Sequence, residues 1–502
     1  MVIFNCTENS NKGDEAMITF LVSIVLLLVG YFTYGKYVEQ VFGHNESRPT
    51  PAYVNSDGVD YVPMSTKKNS LIQLLNIAGT GPVFGPIAGA LFGPVAFIWI
   101  VVGCIFAGAV HDYLTGMISI RNKGAHLPAL ASKYLGKAMK HVVNIFALLL
   151  LLLVGTVFVT TPAMLIDTLL DGKVAMAIIV GVIFLYYILA TLLPIDKIIG
   201  RLYPYFGALL IISALGVGLV LVFTGADIPE LTFENMHPSG LMIFPMLFFT
   251  ITCGALSGFH ATQTPIISRT TQKEGQGRKI FYGMMIAEGI IAMIWAAAAM
   301  SLFNGPVGLS EIIANGGPAR VVSEVSTITL GAVGGTLAVL GVVVLPITSG
   351  DTAFRAARMI IADFFKMSQA KILSRLWIAL PLFVMSYALT KIDFNILWRY
   401  FSWANGVTAV IALWVGAMYL FLKRSNHWIA TVPAVFMTLM CWVYIFYEST
   451  MGFGLNYELS YILGGIATAT LTGLFFYTGF KKRGDKFELD EDVSDYVAPS
   501  NI

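Results

Sequence analysis

Six residues stand in stretches otherwise too apolar to hold them: Glu288 in YGMMIAEGIIAMIW, His260 in SGFHATQ, and Thr348, Ser349, Asp351 and Thr352 in LPITSGDTAF. Ionisable groups in such surroundings are costly, so they face an interior and mark paths for ions or protons. A carboxyl at Glu288 that gains and loses a proton is a carrier; the alternative is a paired or snorkelling carboxylate near a helix end. His260 is followed by Thr262, Gln263 and Thr264, which suits either a proton-linked or substrate-binding role or a packed, hydrogen-bonded histidine. Thr348, Ser349 and Thr352 offer hydroxyls and Asp351 a carboxylate, a set fit for a small cation or a coupling proton. The competing reading is a helix end, with Asp351 paired to Arg355 four residues on.

A second set of candidates is backbone. The stretch LIQLLNIAGTGPVFGPIAGALFG carries Gly79, Gly81, Gly85 and Gly89 beside Pro82 and Pro86; IFPMLFFTITCGALSGFHATQTP carries Gly254, Ser257, Gly258 and Pro265. Proline removes a donor and glycine weakens a helix, so both stretches read as broken helices. Small-residue packing of the G-x-x-x-G kind is the alternative for the first. A break exposes N–H groups that favour anions and C=O groups that favour cations. The N–H candidates are Gly81, Val83, Phe84, Ser257 and Gly258; the C=O candidates are Ile77, Ala78 and Gly79. Asn76 either bonds substrate or caps the loosened backbone, and Asn405 in WANG is a cavity candidate. His111-Asp112 reads as an interfacial helix end, and Arg399 among Trp398, Tyr400 and Trp403 as an aromatic-belt anchor.

The elements that must position these residues are membrane helices. Apolar residues make up 57% of the 502-residue chain and charged ones 12%, about half the charge of a soluble domain. Thirteen stretches are long and apolar enough to span: 17–35, 69–92, 94–118, 141–163, 174–193, 203–224, 241–267, 279–303, 329–348, 372–390, 394–421, 427–447 and 457–479. With the N-terminus outside, 26 of the 31 Lys and Arg fall on the inside, including Lys197 and Arg201. The C-terminus is then cytoplasmic. The two broken stretches are five spans apart and enter from opposite sides. That spacing fits two inverted five-helix repeats, 69–224 and 241–421, with a substrate site near the midplane. Residues 1–68 form an N-terminal tail, an extra span and a loop, 427–479 two further spans, and 480–502 a tail too polar to fold alone. Asp14 and Glu15 precede the first span and no cleavage site follows it, so it reads as retained rather than as a signal peptide.

Several functions lose support. A net charge of +2 gives no reason to expect nucleic acid, and Cys6, Cys104, Cys253 and Cys441 lie too far apart for a zinc or redox motif. No phosphate-binding loop, H-E-x-x-H motif or nucleophile–base set is visible, so neither an enzyme nor a bound cofactor is expected.

Four stretches together resemble the carbon starvation (CstA) family of bacterial inner-membrane transporters: NIAGTGPVFGPIAGALFGPVAFIWIVVGCIFAGAVHDYLTGMISIRNKG, CGALSGFHATQT, ITSGDTAFRAARMIIADFF and LWRYFSWANGVTAVIALW. The resemblance runs from Met17 to about residue 480, and the chain is similar to the shorter members. It implies secondary import of peptides, amino acids or pyruvate in the carbon-starvation response. It also implies an all-α, LeuT-like 5+5 fold with extra terminal helices. By analogy with LeuT-type transporters, hydroxyls of Thr348 and Ser349 with the Ala78 carbonyl would hold Na⁺. The coupling ion is H⁺ or Na⁺, the partners are a small-molecule substrate and the bilayer, and a channel or a sensor without transport is the alternative.

Overall fold

The computed structural model describes residues 17–58, 60–170, 172–192, 195–369, 371–484 and 487–493. Residues 1–16, with Cys6, and 494–502 lie outside them, as do the side chains of Lys197 and Arg201. The described residues are helical, apart from loops and one isolated bridge between Met64 and Thr271. The helices that matter below are α1 (Ile18–Phe32), α2 (Thr66–Ile77), α3 (Gly81–Gly89), α4 (Val95–Arg121), α5 (Leu127–Leu135), α6 (Lys137–Leu169), α7 (Met176–Leu192) and α8 (Ile195–Phe223). They continue as α9 (Gly258–Ser268), α10 (Gly283–Ser301), α11 (Gly317–Phe365), α12 (Ile372–Leu389), α13 (Phe394–Leu422), α14 (Trp428–Tyr447) and α15 (Tyr457–Gly484).

Among the described residues nine helices are long and apolar enough to cross a membrane, or ten if α2 and α3 count as one bent span. The chain is a multi-pass membrane protein. The thirteen expected stretches exceed that count for identifiable reasons. Met176–Ala190 and Gly207–Phe223 qualify only as shorter apolar pieces. The stretch 241–267 is interrupted: a wide turn over Ile243–Leu247 runs into Phe248–Thr250, and helix resumes only at Gly258.

Both breaks have a local cause. α2 stops at Ile77, and α3 restarts at Gly81 after a 48° bend. Pro82 sits in the first turn of α3, where its missing N–H costs nothing, so it starts a helix rather than interrupting one. In the second break Gly254 adopts φ +96°, a region glycine enters without strain. Small residues then let the two breaks cross in contact. A Cβ on Gly81 would lie 2.1 Å from Cys253 Cβ, and one on Gly85 2.9 Å from the Thr250 carbonyl oxygen.

α11 differs from the expected 329–348. It runs 49 residues and is kinked at Gly331, φ +71°, beyond which the helix continues to Phe365. Thr348 to Thr352 are therefore mid-helix, not at a helix end as one sequence reading held. α11 packs along α6, where Gly155 admits the ring of Phe354: a Cβ there would lie 2.4 Å from the ring.

The expectation of a structureless 480–502 is corrected for 487–493, which dock on the rest of the chain. The Tyr134 hydroxyl donates to the Leu489 carbonyl at 2.6 Å, the Glu491 N–H to the Arg121 carbonyl at 3.0 Å, and Tyr419 to Asp490 at 3.0 Å. Arg121 is the hub of this face. It grips Glu274 through two bonds of 3.0 and 3.1 Å, donates to Tyr419 at 2.9 Å and to the Gly43 carbonyl at 2.7 Å, and covers the Phe42 ring at 4.5 Å. The tail sequence has acidic and aromatic side chains that this basic, tyrosine-rich surface can satisfy; composition alone could not reveal the partner surface.

Candidate functional site: a buried relay beside two crossing breaks

Three elements deliver four titratable side chains to one line. α4 supplies His111 and Asp112, one turn after a wide turn at Cys104–Gly108, a helix irregularity often found at functional sites. α9 supplies His260 in its first turn, and α10 supplies Glu288. His111 Nδ1 lies 2.8 Å from Asp112 Oδ1, Asp112 Oδ2 lies 3.0 Å from His260 Nδ1, and His260 Nε2 lies 3.4 Å from Glu288 Oε2. All four side chains are fully buried. The expectation that His111-Asp112 closes a helix at the interface is thus corrected: the pair is interior.

The arrangement constrains its protons. With Asp112 ionised, each of its oxygens accepts an Nδ1–H from one imidazole. Neutral His260 then presents an Nε2 lone pair to the Glu288 carboxylate, and two acceptors would face each other across 3.4 Å. One proton between them, on His260 or on Glu288, resolves the conflict. His111 Nε2 and both Glu288 oxygens accept or donate no hydrogen bond among the described residues.

Beside this line lies a second group of polar atoms without hydrogen bonds. Gln73, Asn76 and Thr80 are buried, and neither amide nor the Thr80 hydroxyl has a hydrogen-bond partner among the described residues. Gln263 spends its NH₂ on Thr262 at 3.1 Å, which leaves Oε1 unpaired. Such atoms are rare in packed interiors and ask for a water, an ion or a ligand.

Three of the backbone candidates, the Val83 and Phe84 N–H groups and the Ile77 carbonyl, are engaged within the chain. The Val83 and Phe84 N–H groups both bond the Thr80 carbonyl, at 3.2 and 2.8 Å, and the Gly79 N–H bonds Ile77 at 2.9 Å. A Cβ on Gly79 would strike the Phe158 ring at 2.4 Å. At the second break Asn405 Oδ1 accepts from the Phe259 N–H at 2.7 Å and from the Ser257 hydroxyl at 3.2 Å. Asn405 is therefore an in-chain cap of α9, not an open cavity residue. Gly258 packs against the same helix: a Cβ would lie 2.2 Å from the Asn405 carbonyl oxygen.

The hydroxyl group of residues sits near the end of α2. Ser349 donates to the Leu75 carbonyl at 2.8 Å, three residues before Ala78, which is buried at the C-terminal end of α2. The Thr348 hydroxyl bonds Leu345 at 2.8 Å, and that of Thr352 bonds Ser349 at 3.0 Å, both within α11. Asp351 is fully buried, with Arg355 Nη2 at 4.0 Å and no hydrogen bond to either oxygen. Arg399 is half exposed, 3.7 Å from Glu448 and bonded to Thr450 at 2.7 Å. Among the described residues no group of three or more His, Cys, Asp or Glu could hold a metal ion.

The chain is similar to several known proteins. A membrane protein of Haemophilus influenzae is 47% identical over 352 residues, which cover 60% of this chain and 95% of that one. The peptide transporter CstA of Escherichia coli is 26% identical over 572 residues, covering 86% of this chain and 81% of its own. The pyruvate/proton symporter BtsT of the same organism is 28% identical over 366 residues, covering 59% of this chain and half of its own length. In fold, the chain is similar to a manganese transporter of Eremococcus coleocola, with a TM-score of 0.53 at 13% identity over 85% of this chain and 99% of that one. The profile of the carbon starvation protein CstA matches residues 15–183 and 163–330, and the chain belongs to that family.

Proposed function

We propose that this protein is a proton-coupled secondary transporter that imports a small polar nutrient, a peptide, an amino acid or pyruvate, across the bacterial cytoplasmic membrane. The observation that carries this reading is the unresolved proton between His260 and Glu288. A site that must hold one proton to avoid facing acceptors is a binding site for the coupling ion. It lies beside two broken helices, where transporters of inverted-repeat architecture bind substrate. The name of the pyruvate/proton symporter relative supports the same ion.

In this reading thirteen spans run with the N-terminus outside and the C-terminus inside. Residues 69–224 and 241–421 are the inverted repeats, and 1–68, 427–479 and 480–502 are additions to them. Substrate contacts come from the unpaired Gln73, Asn76, Thr80 and Gln263 together with His260. Ser257, Gly258 and Asn405 hold the second break in shape, as Gly79, Gly81 and Val83 hold the first. The proton held by the His260–Glu288 pair ties α9 to α10; its loss sets two acceptors face to face, and the two helices can then part to change the side on which the site opens. Unpaired amide and carboxylate acceptors at Gln263 and Glu288 favour substrates with N–H groups to donate.

A sodium-coupled reading has one observation in its favour. The Ser349 bond to Leu75 brings hydroxyl-bearing α11 against the end of α2 near Ala78, with Thr348, Asp351 and Thr352 close in sequence. Uptake of labelled alanyl peptides and of pyruvate into proteoliposomes, with pH and Na⁺ gradients imposed separately, divides the two. The expected result is accumulation with a pH gradient alone. Accumulation with a Na⁺ gradient alone moves the coupling to Ser349, and flux that ignores both gradients overturns the transporter reading in favour of a channel.

A further inference from the structure

A cavity of about 510 Å³ opens among α5, α6, α13, α14 and α15, away from the relay and the breaks. One wall is a stripe of α13: Trp403, Val407, Val410, Ile411, Trp414 and Met418. These positions recur at helical spacing and extend about 22 Å along the axis at 1.5 Å per residue. The wall is mostly carbon, although the Trp403 indole N–H has no hydrogen-bond partner among the described residues. The Trp414 indole N–H and the Thr438 hydroxyl are spent on each other and on the Ala434 carbonyl. The floor is nearly buried, Met418 at 1% and Phe475 at 6% exposed, while Val142 and Leu474 at the rim are exposed, so this is a crevice with one side open to the membrane. An empty crevice of that size forfeits the contacts of its lining.

Shape and charge select the occupant. The full space between the lining atoms, about 1390 Å³ with its open side, gives a mean section of about 63 Å² over 22 Å, less than the roughly 80–110 Å² of a helix 10–12 Å across with its side chains. The space is therefore too narrow to enclose a partner helix and admits extended hydrocarbon chains. At the Met418 end α15 and the start of α6 come together: a Cβ on Gly479 would lie 3.5 Å from the Met418 sulfur, and Lys482 donates to the Lys133 and Tyr134 carbonyls just before α6. Exposed Lys137 lies two residues before Met139, and exposed Lys481 three after Thr478. Cations at that mouth suit a negative head group at the membrane surface.

We propose that this crevice is a specific site for an anionic phospholipid, with one acyl chain along α13 and the phosphate near Lys137 and Lys481. The site joins α14 and α15 to the rest of the bundle, because the chain fills the seam between them.

The test uses the intact protein in detergent, with phosphatidylglycerol carrying a photoreactive acyl chain as the probe. Labelling is expected on the α13 stripe around Val407 and Ile411. It should be competed by unlabelled phosphatidylglycerol and resist an excess of phosphatidylcholine. Leu185 of α7, exposed on another face, reports ordinary lipid contact and should show no such selectivity. Ile411→Trp, which fills the crevice, should abolish the stripe labelling, while Lys137→Gln with Lys481→Gln should keep it but lose the preference for the anionic lipid. Equal labelling of the stripe and Leu185 overturns the proposal, even if the tryptophan variant does not fold. So does native mass spectrometry showing a retained polypeptide or neutral isoprenoid in place of a phospholipid.

Discussion

Two buried charged regions of this protein are built on opposite principles. Around Arg121 four of the five guanidinium N–H groups are bonded, to Glu274, Tyr419 and the Gly43 carbonyl, Asp490 lies 3.6 Å from Nη1, and Glu274 also accepts from the Asn45 N–H at 2.7 Å. Along His111, Asp112, His260 and Glu288 the bonds form a single file that ends in unused capacity. A nearly saturated cluster has one protonation state and one geometry, so it braces. A single file with a spare position has at least two states of similar cost, so it can carry a proton and respond to it.

The largest effect should come from breaking the brace. Glu274→Ala leaves the buried Arg121 guanidinium with Asp490, 3.6 Å away, as its remaining anionic partner, and should lower stability by about 3 kcal/mol, read as a fall in the thermal unfolding temperature in detergent. Arg121→Leu in the same background should recover part of that loss, because the buried charge is gone. If Glu274→Ala unfolds no earlier than wild type, Arg121 is not held by this pair.

Removing a member of the file should do the reverse, sparing stability and abolishing work. Glu288→Gln and Asp112→Asn should each lower pH-gradient-driven uptake by about 100-fold or more, the range seen when a proton-transfer group is removed. Their unfolding temperatures should stay near or above that of wild type, since each removes a buried charge. Retention of gradient-driven uptake by both variants would detach the file from coupling.

Smaller effects sharpen the contrast. Ser349→Ala removes one bond between α11 and the Leu75 carbonyl and should cost about 0.5–1.5 kcal/mol; uptake that stays driven by a pH gradient in this variant keeps the proton reading and dismisses sodium. Asp490→Asn with Glu491→Gln weakens the partly exposed pairs of the tail with Arg121 and Lys133. The expected loss is about 0.2–1 kcal/mol and should shrink further in high salt. A larger, salt-independent loss would make the tail part of the brace.

Sequence patterns disclose some of this and hide the rest for a definable reason. The two breaks are legible because glycine and proline act locally, and Glu288 and His260 stand out because charge is rare in apolar runs. Asp112 was legible only as a residue beside a histidine. Its role depends on α9 crossing α4, a contact between residues 148 positions apart. Asn405 looked like a cavity residue for the same reason that it makes a good cap: it is a short amide in an apolar helix. The docking of Leu489 to Glu491 needed a surface assembled from Arg48, Arg121, Lys133, Tyr134 and Tyr419, which no window of sequence contains.

Cys253 sits where the two breaks touch, its Cβ filling the place of the side chain that Gly81 lacks. With the helices crossed as they are, the thiol is buried, 3.5 Å from both the Ser257 hydroxyl and the Asn405 amide. A water-borne alkylating reagent can reach it only while the crossing is pulled apart. The native chain thus carries its own stopwatch: the rate at which Cys253 is modified, with and without substrate, counts how often the crossing opens.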